Sequence, residues 1–503
     1  MAGQERIEKP RLEKLDDLIK RGINPYPHKF YRTHTNREAV ELFQKLSEAD
    51  SHATLPDISL AGRITAARFM GKAAFFDIRD GSGKIQLFLR RDDLGDEKYE
   101  LLHDLDLGDF LGASGKIFKT RSGEITLEVA DFTILSKSIL PLPEKWHGLV
   151  DVEKRYRQRY LDLISNDEVK HIFLTRSQII TAIRKFMDDR GFLEVETPVL
   201  QPTFGGALAR PFTTHHHSLD QTLYLRIALE LYLKRLIIGG FDKVYEISRV
   251  FRNEGISVKH NPEFTMMESY EAYADYNDVM QMTEDLVSTV AVGVLGTSEI
   301  NFGGEVIKLE PPWTRLPLRH ALIDKCGIDF MDYPTAEALR ARMEEMGMKV
   351  DPLKDRGRLI DELLSTYVEP NLKQPTFIVD YPIEMSPLAK KHRDDPRLVE
   401  RFEAFIGTME LANSFSELND PREQRERFAG QKQSENTKLI MQSKLAGDVE
   451  PEIEQIDDDF VTAMEHGMPP TGGLGVGIDR LVMLLTDKQS IREVILFPQL
   501  KTK

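Results

Sequence analysis

The chain has 503 residues, which sets an expectation of about three domains at roughly 100–200 residues each. Its 67 basic and 82 acidic side chains give a formal charge of −15, which argues against a non-specific nucleic-acid coat while leaving room for a local basic face. One cysteine, Cys326, excludes an intramolecular disulfide and a cysteine-cluster metal site, so a reducing cytoplasm is expected. No apolar run approaches membrane-spanning length, and the start MAGQERIEKPRLEKL has no apolar signal core.

In chain order, Leu12, Leu15, Leu18 and Ile19 recur near the helical period until Gly22 and Pro25 stop them. A second amphipathic stretch runs from about Arg37 to Ala49, and residues 1–55 together read as a helical extension. At Ile58 the rhythm becomes strand-like. ISLAGRITAARF, AAFFDIRD, KIQLFLRR, FLGASGKIFKT and ITLEVADFTIL are five short runs separated by turns such as DGSGK. Five short strands in so few residues predict a small closed barrel over 56–140, and the OB-fold is the common nucleic-acid-binding barrel of that size. ILPLPEKWHG suggests a linker at about 141–150. Residues 151–503 mix helices with glycine-punctuated strands, including a long helix predicted from about Thr175 to Arg190. A helix-rich stretch at about 316–374 separates strand-rich regions and reads as an insertion. The expected fold is α+β and multidomain.

Three segments carry chemistry. In VYEISRVFRNEGISVKHNPEFTMMESY, two strand-like arms flank a polar loop holding His260. On strand parity Arg252 and Glu254 share a face on the first arm, and Phe264, Met266, Glu268 and Tyr270 share one on the second. A guanidinium can fork phosphate or carboxylate oxygens, and a ring can stack on a base. An exposed hairpin with ordinary cross-strand ion pairs accounts for the same pattern. In ERFEAFIGTMELANSFSELND, Asn413, Phe415 and Glu417 alternate, while Glu403 and Glu410 are hard oxygen ligands suited to Mg²⁺ against phosphates. The spacing of seven aligns those two glutamates on a helix but not on a strand, and a solvated acidic face is the plainer explanation. TGGLGVGIDRLVMLLT has glycines that let backbone approach a ligand closely, then an apolar helix with Arg480 at its start. It fits neither G-x-G-x-x-G nor a P-loop.

Taken together the segments resemble the three motifs of class II aminoacyl-tRNA synthetases. The first is IRKFMDDRGFLEVETPVL, a long helix and then a strand carrying Pro198; the second has Phe251, Arg252, Asn253 and Glu254; the third has Gly473, Gly475, Gly477 and Arg480. The longer strings RYRQRYLDL, GGALARPF, YPIEMSPLAKK and ELANSFSELND resemble the bacterial-type lysyl-tRNA synthetases, and the likeness runs from about Arg11 to Pro498. One departure is His217, where asparagine is expected.

The resemblance implies an N-terminal OB-fold that binds the anticodon and a catalytic domain built on an antiparallel sheet flanked by helices. It implies activation of L-lysine with ATP to lysyl-adenylate, then transfer to tRNA(Lys), by a homodimer whose interface holds the first motif. Arg252 would bridge the substrate carboxylate and the α-phosphate, Phe264 would stack on adenine, and Glu254, His260 and Asn261 would hold the nucleotide. Arg480 would neutralise the γ-phosphate, and Glu403 and Glu410 would carry Mg²⁺. Gly206 and Glu230 would hold the lysine α-amino group, while Glu417 and Tyr270 would receive its ε-ammonium. Asn413, Phe415 and Glu268 complete that pocket, which needs acceptors rather than a fixed cation, and no lysine or arginine lies close to Glu417 along the chain. In the barrel, Phe75, Gln86 and Arg63 would face the anticodon, with Phe75 rather than Phe76 turned outward. The competing expectations are a ligase that lysylates elongation factor P, which shares the core but lacks the barrel, and a catalytically silent tRNA-binding paralogue.

Overall fold

Alternating apolar and polar side chains close the five N-terminal strands into a barrel, as their period of two requires. The computed structural model describes residues 2–49, 57–143, 149–207, 209–430 and 457–501, in two units, Met1–Leu149 and Val150–Lys503. Five residues of the expected linker, 144–148, lie outside the described residues.

The barrel strands are β1 (Ile58–Met70), β2 (Ala73–Arg79), β3 (Lys84–Arg90), β4 (Phe110–Lys119) and β5 (Ile125–Ser136), ordered β1-β2-β3-β5-β4. Ile64, Phe76, Ile78, Leu87, Leu89 and Val129 point inward and are at most 1% exposed. At the bulge between Ser114 and Gly115, a side chain on Gly115 would begin 1.9 Å from the Glu128 carbonyl oxygen, so only glycine fits. Helices Ala2–Lys20 and Asn36–Ala49 precede the barrel, and Arg11 ties the first to it through the Ser138 carbonyl at 3.0 Å.

In the second unit the strands are β6 (Leu193–Glu194), β7 (Leu200–Gln201), β8 (Thr213–His216), β9 (Gln221–Leu225), β10 (Lys243–Phe251), β11 (Glu263–Ala272), β12 (Glu299–Phe302), β13 (Glu305–Lys308), β14 (Thr314–Pro317), β15 (Thr376–Pro382), β16 (Leu398–Ile406), β17 (Met409–Ser416) and β18 (Thr471–Gly477). Eight of them form one sheet, β14-β15-β16-β17-β18-β11-β10-β6, antiparallel except at its two outer pairs. One face is apolar: Met267, Ala412, Leu474 and Val476 pack beneath helices Asp167–Asp189, Tyr276–Leu295 and Ile478–Leu485. The opposite parity of β11, β17 and β18 is left for function. The helices between β14 and β15 form a crossover joining two paired parallel strands and enclose their own apolar cluster.

Two expectations for the first motif need correction. Its helix starts at Asp167, not near Thr175, because the buried stripe already includes Val169 and Ile172. Pro198 lies in irregular chain between β6 and β7 rather than on a strand, consistent with proline's missing backbone donor.

Candidate active site

Two rows of cross-strand partners build the floor of the site: Tyr270–Gly473–Phe415 and Glu268–Gly475–Asn413. Glycine in the middle strand opens the space that its neighbours' side chains fill. A Cβ on Gly473 would stand 1.9 Å from Glu417 Oε1 and 2.6 Å from Tyr270 Cε1. Above this floor is a cavity of about 470 Å³. Gly206, Glu230, Arg252, Glu254, His260, Asn261, Phe264, Glu268, Tyr270, Glu410, Asn413, Phe415, Glu417 and Arg480 all line it, so segments far apart in sequence converge.

At one end are acceptors. Glu417 is 1% exposed, and its Oε1 has no hydrogen-bond donor. Tyr270 donates to Glu268 Oε2 at 3.1 Å, while Glu268 Oε1 accepts the Leu229 amide at 2.9 Å. Burial, reinforced by Glu230, pushes the Glu268 carboxyl up to about 7. Burial also pushes Glu417 well up, opposed by Lys234. Gly206 abuts Glu230 with φ +86, a conformation that favours glycine, and an added Cβ would meet Glu230 Cβ at 3.2 Å.

At the other end are cations. Arg252 and Glu254 do not share a strand face as expected: β10 stops at Phe251, and both lie in the loop beyond. Arg252 is nevertheless fixed, its Nε donating to the Ile227 carbonyl at 3.2 Å and its guanidinium 5.2 Å from the Phe264 ring centre. Arg480 donates to the Glu410 carbonyl at 2.6 Å and to Glu410 Oε2 at 3.0 Å. Its neighbour Asp479 anchors the helix start by accepting from the Thr265 amide at 2.7 Å and from Arg176 at 2.5 Å. His260 is lowered by burial and by Arg480. Asn261 uses its amide locally, donating to the Glu263 carbonyl and accepting from the Gln499 amide at 3.2 Å.

Glu403 and Glu410 come together through β-structure rather than a helix. They sit on the antiparallel pair β16–β17, and a bulge after Ala404 offsets the register. Glu410 borders the cavity; Glu403 does not, since Tyr381 donates to it at 2.9 Å and Arg401 at 2.5 Å. Burial, opposed by Arg401 and reinforced by Glu410, lifts Glu403 to about 7. Glu410, a hard carboxylate at the cavity, fits Mg²⁺ held by one or two protein ligands plus phosphates, with Glu403 behind the cavity wall on the neighbouring strand. Among the described residues no group of three or more potential ligands forms an all-protein metal site.

A cation nevertheless lies beside Glu417, brought from far along the chain. Lys234, on the helix Glu230–Ile238, forms an ion pair with Glu417 and donates to Glu230 Oε1 at 2.5 Å. Sequence distance hid it: only the tertiary fold carries that helix to β17. Arg401 was missed for the same reason; its Nε donates to Asn413 Oδ1 at 3.1 Å and so orients a cavity-lining amide.

In the barrel, Phe76 is 1% exposed and Phe75 faces outward, stacked on Phe88 at 4.8 Å. Asp77 pairs with Gln86 and Phe75 with Phe88, so one face carries all four. Gln86 is less free than expected, 8% exposed and accepting from Thr126 at 3.1 Å. Arg63 donates to the Gly108 carbonyl at 3.0 Å and stacks over Phe110.

A family model described as "tRNA synthetases class II (D, K and N)" matches residues 151–501, and one for an "OB-fold nucleic acid binding domain" matches 58–135. The chain belongs to the class II tRNA synthetases of the D, K and N group. Among its relatives, the lysine–tRNA ligase of Dehalococcoides mccartyi (strain ATCC BAA-2266 / KCTC 15142 / 195) is 58% identical over 99% of this chain and 98% of its own. Those of Carboxydothermus hydrogenoformans and Bacillus subtilis (strain 168) are 52% and 50% identical over 99% and 98% of this chain, covering 98% and 97% of theirs.

Proposed function

We infer that this chain is a lysine–tRNA ligase: it uses ATP to activate L-lysine and transfers the lysyl group to the 3′ end of tRNA(Lys). The observation that carries lysine as the substrate is the buried Glu417 Oε1, an acceptor without a donor at the cavity floor. Lys234 already pairs with this carboxylate, so what an apolar amino acid leaves unmet is a buried acceptor oxygen, at a cost of about 1–3 kcal/mol, whereas an ammonium satisfies it. Glu417 and Tyr270 receive the ε-ammonium, while Gly206 and Glu230 hold the α-amino group beside Asn413, Phe415 and Glu268.

Arg252 binds the lysine carboxylate and the ATP α-phosphate together, Phe264 stacks on adenine, Arg480 meets the γ-phosphate, and Glu254, His260 and Asn261 line the nucleotide. Attack of the carboxylate on the α-phosphorus needs alignment and charge neutralisation rather than a protein nucleophile, and two fixed arginines provide both. Glu403 and Glu410 would hold Mg²⁺, which when bound offsets phosphate charge. Phe75, with Gln86 and Arg63, binds the anticodon. The domain assignment follows: extension 1–55, barrel 56–140, linker 141–150, and catalytic domain 151–503 with its helical insertion.

A cytoplasmic setting is supported by the lone Cys326, and no helix among the described residues is long and apolar enough to cross a membrane. Exposed Leu193, Val199 and Leu200 in the first motif support a homodimer, which sedimentation checks. The activity is tested by pyrophosphate exchange with each of the twenty amino acids, followed by charging of purified tRNAs. Lysine alone should support both reactions. Exchange with aspartate or asparagine in its place would overturn the assignment.

A further inference from the structure

The acceptor end of the cavity already contains an ammonium. Lys234 is 0% exposed and makes ion pairs with both Glu230 and Glu417. Three rings surround it, Phe415 at 5.3 Å, Tyr270 at 5.9 Å and Phe460 at 6.0 Å from the nitrogen to the ring centres. Burying a lysine this completely is costly, and the usual compensation is a carboxylate partner. Here there are two, and both border the cavity where the substrate is held.

We propose that Lys234 is a positioning residue for amino-acid recognition: its resident ammonium occupies Oε2 of Glu417 and Oε1 of Glu230, and so leaves Glu417 Oε1 aimed at the incoming ε-ammonium. This rests on the assignment of Glu417 and Glu230 to lysine binding. The ion pair engages Oε2, whereas Oε1 has no donor and faces the space that a Gly473 side chain would fill. Lys234 thus divides one carboxylate between a permanent and a transient cation.

The local charge count gives this arrangement a purpose. Glu230, Glu268 and Glu417 are three buried carboxylates. Lys234 and Arg252 face them; Tyr270 is held neutral by burial, and Arg401 is engaged by Glu403. Burial pushes all three carboxyl groups upward, and when all three are ionised the cluster, Lys234 included, lacks one positive charge, which is the net charge free lysine carries. Without it the deficit is two, and a proton would be drawn in to compete with the substrate. An opposite charge this close typically moves a carboxyl group by about 1–3 pH units.

The experiment is pyrophosphate exchange measured against pH, varying lysine at saturating ATP, for the parent, Lys234→Met and Lys234→Arg. In Lys234→Met the acid limb of kcat/KM for lysine should move upward by about 1–3 units, with KM for ATP unchanged. Lys234→Arg, which restores the charge, should bring the limb back toward the parental position. Should Lys234→Met not fold, Lys234→Gln removes the charge while keeping a donor, and the same shift is expected; melting is followed in parallel. An unshifted acid limb in the folded neutral variant means Lys234 is only a spacer and overturns the proposal. A parent that shows no lysine-dependent exchange overturns instead the activity on which the proposal rests.

Discussion

Replacing Gly473 by alanine adds one methyl group at the floor of the amino-acid pocket, where it would begin 1.9 Å from Glu417 Oε1, 2.6 Å from Tyr270 Cε1 and 3.0 Å from Glu417 Cδ. Something must move. Glu417 cannot swing freely, because Lys234 is paired with its carboxylate and the side chain is 1% exposed. Overpacking of this kind costs about 1–3 kcal/mol. If that strain is relieved by displacing Glu417, it is subtracted from lysine binding, and KM for lysine rises roughly 5- to 150-fold, at tenfold per 1.4 kcal/mol. The assay is pyrophosphate exchange with lysine varied at saturating ATP, then ATP varied at saturating lysine; only the first KM should change. Gly472 is the control, since successive strand residues face opposite ways. Its added Cβ would meet Val279 Cγ2 at 2.6 Å on the core side. Gly472→Ala should therefore lower the melting temperature with both KM values intact. A Gly473→Ala protein with parental KM for lysine, or with equal losses for lysine and ATP, would refute the placement of the ε-ammonium beside Glu417.

The remaining expectations concern tRNA, metal and proton linkage. Phe75→Ala removes an outward stacking platform worth about 1–3 kcal/mol, so charging at low tRNA concentration should fall roughly 5- to 150-fold while exchange is unchanged; a parallel fall in exchange without a melting change would refute a barrel confined to anticodon binding. Glu403→Ala and Glu410→Ala should each cripple adenylate formation and raise the Mg²⁺ requirement; a double variant exchanging at the parental rate sinks the assignment. Glu268 is raised from 4.5 to about 7 by burial, so its contribution to stability is full below about 4.5 and is lost as pH rises through about 7. Glu268→Gln should therefore gain stability relative to the unliganded parent between pH 5 and 8, by roughly 3 kcal/mol at most; a difference in melting temperature that ignores pH would show that Glu268 does not titrate in that window.

Much of this protein is legible in local pattern. The five barrel strands stand within one or two residues of their expected bounds, because a half-buried strand must alternate and its turns must break the alternation. That only one of Phe75 and Phe76 faces outward, and that Phe264, Glu268 and Tyr270 share a face, follow from the same parity, while the choice of Phe75 came from resemblance. Resemblance supplied the roles that parity leaves open. What only the tertiary structure decided are the encounters between segments distant in the chain. Glu403 and Glu410 meet because β16 and β17 pair across a bulge, which a spacing of seven does not reveal. Arg252 takes its place from the Ile227 carbonyl, not from strand parity, because β10 ends one residue before it. Lys234 reaches Glu417 from another helix, and its charge is stable there only because two carboxylates and three rings replace the water it has lost. Periodicity records which side of an element is buried; it carries no information about what the burial brings into contact, and the chemistry of this pocket lies in those contacts.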